Sequence, residues 1–268
     1  MRAVQFTVVA ALLFLSATRS AAQENYEIQV YGSETMAPGV TMFELHSNFT
    51  FDGSRFRANG LLPTNHVFHE TVEITRGLND WSELGVYFFN SASSDQGFRY
   101  VGSHLRPRVR APERWNWPVG ASLSAEFGFQ KREFSEDTWS LELRPIIDKQ
   151  MGAWYVSLNP TVERSLKSDL PSDGFVFSPN VALTYDLTPK VNVGAEYYGA
   201  LGPLHQFAPR SEQEHVVYAA VNLDVAPEWE VNFGYGFGLT GAGDKRLFKL
   251  ILGRRVGPLP APEKKSGQ

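Results

Sequence analysis

Apolar and polar residues alternate with a period of two through most of the chain between residues 41 and 256. That period puts successive side chains on opposite faces, so each alternating run is read as a β-strand with one apolar and one polar side. Clusters of turn-forming residues divide the pattern. It predicts twelve strands, at 41–51, 65–76, 82–92, 97–110, 118–130, 137–148, 153–165, 174–187, 190–201, 214–225, 228–239 and 244–256. Across 118–130, for example, Val119, Ala121, Leu123 and Phe127 share one face, and Ser122, Ser124, Glu126 and Gly128 the other.

The connections alternate as well. Long polar loops such as "DGSRFRANGLLPTN", "SLKSDLPSDG" and "GALGPLHQFAPRSEQE" take turns with short connections such as "GLND", "MGA", "LTPK" and "APE". Twelve antiparallel strands with long loops at one end and tight turns at the other predict an all-β fold, a transmembrane up-and-down β-barrel. The long loops are then extracellular and the short turns periplasmic. Aromatic residues sort along the same axis. Trp81, Trp115, Trp117, Trp154 and Trp229 adjoin the short turns, and only Trp139 stands near a long loop, where Phe49, Phe51, Phe98, Phe127, Phe129 and Phe175 gather. Amphipathic rings favour a membrane–water boundary, so two girdles are expected.

Composition fits this picture. A mean hydropathy of −0.25 hides a membrane barrel, because only alternate residues meet lipid. There are 25 basic and 29 acidic residues and no cysteine, which removes bulk attraction to nucleic acid, disulfides and thiolate metal sites. The first residues, "MRAVQFTVVAALLFLSATRSAAQ", have a basic start, a short apolar run and a small-residue end, so 1–22 are read as a secretory signal peptide. Residues 23–40 are expected to form a periplasmic N-terminal segment, with a small plug or an extra pairing strand at Tyr26–Tyr31 as alternatives. The barrel is 41–256, and the Pro- and charge-rich 257–268 read as a disordered tail.

The segments "MFELHSNF", "HETVEIT", "VGSHLRPRVR", "LELRPIIDKQMGAWY", "FSPNVALTYDL" and "EYYGALGP" resemble the bacterial outer-membrane family labelled "putative MetA pathway of phenol degradation". The resemblance spans 41–256. It implies a Gram-negative outer-membrane barrel and passage or handling of small compounds, aromatic ones among them, and it supplies no catalytic motif. The final strand departs from the usual pattern: "LFKLILGRRVG" ends on valine, with an arginine at an outward position.

The stretch "VGSHLRPRVRAPER" is the most informative for function. Its parity turns Val101, Leu105 and Val109 to lipid and His104, Arg106, Arg108 and Arg110 to the lumen, since an arginine on the lipid side near the midplane costs about 2–4 kcal/mol. The same parity sends Glu44, His46, Asn48, His69, Glu73, Glu126, Glu142, Arg144, Asp148, Glu163, Asn192, Glu196, Glu230, Asn232 and Lys249 inward. His104, Arg106, Arg108, Arg110, Glu126, Glu142, Arg144 and Asp148 are therefore the candidate lumen-lining, solute-binding residues. Glu142 and Asp148 are the expected partners of the arginines.

Two functional readings follow. In one, the arginine ladder lines a water-filled channel for small aromatic or anionic solutes. In the other, opposite charges interlock and close the barrel. A third, weaker reading makes the barrel a hydrolase through His205, Glu212, Glu214 and His215 in one long loop. No Ser–His or Asp–His constellation supports enzymatic activity, and no metal or cofactor site emerges. His66 and His69 fall on opposite faces of a strand and cannot share an ion. The expected partners are outer-membrane lipid and small solutes, with oligomeric partners left open.

Overall fold

In the computed structural model, residues 25–168 and 174–258 are described. The expected signal peptide lies outside the described residues, as does most of the expected C-terminal tail. Strands β1 (Thr41–Asp52), β2 (Val67–Asn79), β3 (Ser82–Ser93), β4 (Gly97–Arg110), β5 (Gly120–Gln130) and β6 (Asp137–Met151) follow one another. They continue with β7 (Trp154–Ser168), β8 (Phe175–Thr188), β9 (Val191–Ala200), the two-residue β10 (Gly202–Pro203), β11 (Glu214–Leu223), β12 (Trp229–Gly238) and β13 (Arg246–Val256). Each long strand pairs antiparallel with its neighbours, and β13 pairs back on β1 from Thr41↔Val256 onward, so twelve strands close without an edge. β10 is a stub beside β8. Closure satisfies the backbone polar groups that lipid could not.

Burial alternates as the sequence pattern requires. On β1, Glu44, His46, Asn48 and Thr50 are buried, while Phe43, Leu45 and Phe51 stand on the outside. Trp81, Trp115, Trp117 and Trp154 are exposed at the short-turn end. The outward arginine of the last strand, Arg254, lies with its guanidinium 5.2 Å from the Trp229 ring, at the boundary where a long cationic side chain reaches water.

One outward expectation is overturned. Leu105 and Val109 face outward, but Val101 is fully buried against Tyr26, Tyr87 and Phe89. The cause is a bulge: Phe89 pairs with Gly102 and Asn90 with Tyr100, leaving Val101 unpaired and inverting the parity above it. Gly102 sits at that bulge because a side chain there would run into the Phe129 carbonyl. Below the bulge the parity makes a clear prediction. Leu105→Arg should destabilise the barrel by about 2–4 kcal/mol in urea unfolding from lipid vesicles. An unchanged midpoint would mean that this face is not in lipid.

Candidate functional site

The inward arginines are paired, but not with the partners expected from the sequence. Arg106 Nη2 donates to Glu73 Oε1 at 2.7 Å and to Thr75 Oγ1 at 3.0 Å, and stands 3.4 Å from Glu83. It reaches β2 by crossing β3 at Gly85, its direct cross-strand neighbour, where a Cβ would stand 2.9 Å from Thr75 Oγ1 and 3.1 Å from Arg106 Nε. A glycine opposite a long inward side chain is thus a groove that lets the side chain lie along the wall. Arg108 lies 3.6 Å from Glu83, and Arg110 binds Glu113 at 2.6 Å and the Asp80 carbonyl at 2.9 Å. Glu142 instead pairs with Arg144 on its own strand at 2.8 Å, and Asp148 binds Ser33 and Tyr155, each at 2.7 Å. His104 is 3.3 Å from Glu126. The expected pairing failed because the arginines lean towards β2 and β3, whereas β6 is occupied by something else.

That occupant is the N-terminal segment. Residues 23–40 were expected to form a periplasmic segment, with a small plug or an extra pairing strand as alternatives. Residues 25–40 run as a strap down the inside of the barrel, in the manner of the plug, from Asn25 beside Asp244 at the long-loop end to Gly39 beside Gly77 at the short-turn end. The strap has no strand pairing, so its buried backbone groups must find other partners. Wall side chains supply them. Asn48 Nδ2 donates to the Asn25 carbonyl at 2.9 Å and Thr71 Oγ1 to the Tyr26 carbonyl at 2.7 Å. Lys249 Nζ donates to the Ile28 carbonyl at 3.3 Å. The Tyr31 carbonyl accepts from Ser157 and Asn159, while the Tyr31 amide donates to Asn159 Oδ1 at 2.8 Å. Arg108 Nη2 caps the carbonyls of Gly32 and Glu34, and the Met36 amide donates to Glu83.

Side chains fix the strap's depth. Tyr31 is surrounded by guanidinium groups: Arg106, Arg144 and Arg108 lie 4.9, 5.0 and 5.5 Å from its ring centroid. Its hydroxyl donates to Glu27 at 2.5 Å and shares a 3.0 Å hydrogen bond with Tyr87, and Glu27 accepts from Arg144 at 3.0 Å. Ile28 packs with Tyr198, Val216, Tyr218 and Leu247, and Tyr26 packs across the lumen with Tyr87, Phe89 and Val101. The arginine ladder therefore grips a tyrosine and the backbone beside it. Sequence reasoning placed the ladder but missed Tyr31, although "YEIQVY" is the one aromatic and charged run of the strap.

The strap divides the lumen. On the short-turn side a vestibule of about 1040 Å³ reaches from Tyr31, Arg106 and Arg108 to Pro112, Asp224 and Arg255 at the mouth. Carboxylates in its lining outnumber basic groups ten to six. On the long-loop side a chamber of about 60 Å³ remains between Glu27, His104, Glu126, Glu142, Arg144 and Glu163. The loop residues considered for hydrolysis do not converge: Glu214 is buried, whereas the neighbouring His215 bonds Tyr197 and Gln213, and His205 is exposed.

The architecture recurs in solved outer-membrane proteins. The COG4313 outer membrane channel of Pseudomonas putida F1 superposes with a TM-score of 0.57 at 15% identity, covering 86% of this chain and 100% of that one. A NanC porin gives 0.52 at 7% identity, covering 81% and 100%. No curated protein sequence matches. A closed barrel with an apolar outer face and a charged lumen places the chain in the bacterial outer membrane, and these proteins share its fold. Residues 110–250 match the family described as "Putative MetA-pathway of phenol degradation", and the match covers more than half of the chain. The chain is a member of that family.

Proposed function

We propose that this barrel is a non-enzymatic channel for small solutes, closed in the conformation described here by its own N-terminal strap. The observation that carries the reading is the way the strap is held. From Asn25 to Met36 the bonds that hold it to the wall come from wall side chains, with no β-ladder, its backbone joins the wall only at Gly39 and Val40 beside Gly77, and it separates a wide periplasmic vestibule from a narrow outer chamber. A segment held so can leave without dismantling the barrel, since every strand remains paired. A purely structural seal would gain more from a ladder, which satisfies backbone groups without burying charges.

The sequence pointed to aromatic or anionic solutes. The surplus of carboxylates in the vestibule argues against free anions as the favoured cargo. It supports small cationic or neutral solutes, and the guanidiniums of Arg106 and Arg108, which now lie over the Tyr31 ring, suit aromatic ones once the strap leaves.

The native chain has no cysteine, so an engineered pair can be cross-linked without competition. A side chain at Gly120 would abut Ser33 of the strap. In planar bilayers, Ser33→Cys with Gly120→Cys should show suppressed conductance when oxidised and recover on reduction, with a cation-favouring reversal potential. Equal conductance in both redox states of a fully cross-linked sample would show that the strap does not gate the path.

A further inference from the structure

We propose that Glu44, His46 and Glu73 form a binding site for one divalent transition-metal ion of the zinc class, set in the inner wall between β1 and β2. Glu44 and His46 are two residues apart on β1, so they share the inward face, and Glu73 is the direct cross-strand partner of Glu44. One donor atom from each of the three lies within 4.8 Å of the others. Ligands on one tetrahedral zinc ion, with bonds of about 2.0–2.1 Å, stand about 3.3–3.4 Å apart. His46 Nε2 and Glu73 Oε2 are already 3.4 Å apart, so only the Glu44 carboxylate needs to close in.

A second, independent observation points to a ligand. His46 is fully buried, its Nδ1 has no hydrogen-bond partner, and its Nε2 and Glu73 Oε2 have none beyond each other, across 3.4 Å. Buried polar atoms in this state are costly, and an ion between them would satisfy both at once. The other oxygen of Glu73 is engaged by Arg106 and by Thr75 at 2.6 Å, which fixes the carboxylate with Oε2 turned to the site. The charges agree. Three carboxylates, Glu44, Glu73 and Glu230, stand there against two guanidiniums, Arg106 and Arg255, so the acidic groups are in excess. One nitrogen and two carboxylate oxygens suit a borderline cation such as zinc, and three protein ligands leave a fourth position open. That position gives on to the vestibule, which Glu44 and Glu73 both line, so an ion can enter from the periplasmic end. The site joins β1 to β2 and connects through Arg106 to Tyr31 of the strap.

The test uses the full mature barrel, refolded in detergent without a polyhistidine tag and stripped of metal, and titrated with cobalt(II). The expected result is a visible absorption band with the intensity of four-coordinate cobalt, saturating at one equivalent, abolished by zinc(II), and accompanied by a higher thermal midpoint. His46→Ala should lose the band, and His69→Ala, at the other buried histidine of these two strands, should keep it. Heat-modifiable gel mobility checks that each variant is folded. If His46→Ala does not fold, Glu44→Gln replaces it and should weaken cobalt binding at least tenfold. Absence of a band in the native barrel, or a band of equal strength in a folded His46→Ala or Glu44→Gln variant, overturns the assignment.

Discussion

Deleting residues 26–37 should turn a barrel of low conductance into an open pore with a severalfold larger single-channel current. The deletion removes Tyr31, Glu27 and, apart from that of Asn25, the strap carbonyls held by wall side chains, yet keeps Gly39 and Val40, whose backbone bonds to Gly77 anchor the start of β1. All twelve barrel strands keep their pairings, so the product should still fold and show heat-modifiable mobility. What changes is the lumen: the vestibule and the outer chamber become continuous, and Arg106, Arg108 and Arg144 lose the ring they surround. Water then solvates these groups, which limits the loss of stability. Selectivity should move towards anions relative to the native protein, because Glu27 leaves while the arginines stay. Planar-bilayer recording of both proteins decides the matter. A deleted protein as closed as the native one would mean that the long loops, not the strap, seal the barrel.

Arg106→Met should lower the stability of the native barrel by about 3–5 kcal/mol, the usual loss when one partner of a buried charge pair is removed. Arg106 is only 2% exposed and is the shared partner of Glu73 and Glu83. Without it, Glu73 is left as a buried carboxylate with the Thr75 hydroxyl as donor and the His46 imidazole 3.4 Å away. Glu83 keeps Arg108. Adding Glu73→Gln to Arg106→Met should therefore recover part of the loss, with a coupling of about 0.5–3 kcal/mol in the double-mutant cycle. Urea unfolding in lipid vesicles measures all four proteins. Strictly additive effects would show that Arg106 and Glu73 do not interact in the folded barrel, against the 2.7 Å contact.

These two experiments probe what was legible in the sequence to different degrees. That Arg106, Arg108 and Arg144 point inward follows from period-two alternation, because a strand in lipid tolerates charge on one side only. What they hold does not follow. Glu142 and Asp148 looked like natural partners two strands away, but the choice depends on which way each side chain leans. That is decided by a glycine on the neighbouring strand, Gly85, and by a strap lying against β6 and β7.

The strap was hardest to read. Of its sixteen described residues only Tyr26–Val30 alternate, too short a run to tell a pairing strand from a plug, and its backbone groups are met by different wall side chains instead of by a ladder of constant period. Val101 failed for a related reason. A bulge adds one residue without changing composition, so in "FRYVGSH" nothing marks the point where inside and outside exchange. The metal site was half legible: Glu44 and His46 share a face by spacing alone, whereas Glu73 joins them only through the β1–β2 register.

The sequence by itself determined the twelve strands, the parity of most of them, the long and short ends and the two aromatic girdles. All of these are local consequences of a backbone that must alternate its side chains and bury one face in lipid. Only the tertiary structure decided that the N-terminal segment fills the lumen, that Tyr31 sits among three arginines, and that Glu44, His46 and Glu73 converge. Those contacts depend on closure and register, which bring together residues up to 221 positions apart, and no local period encodes a distance of that kind.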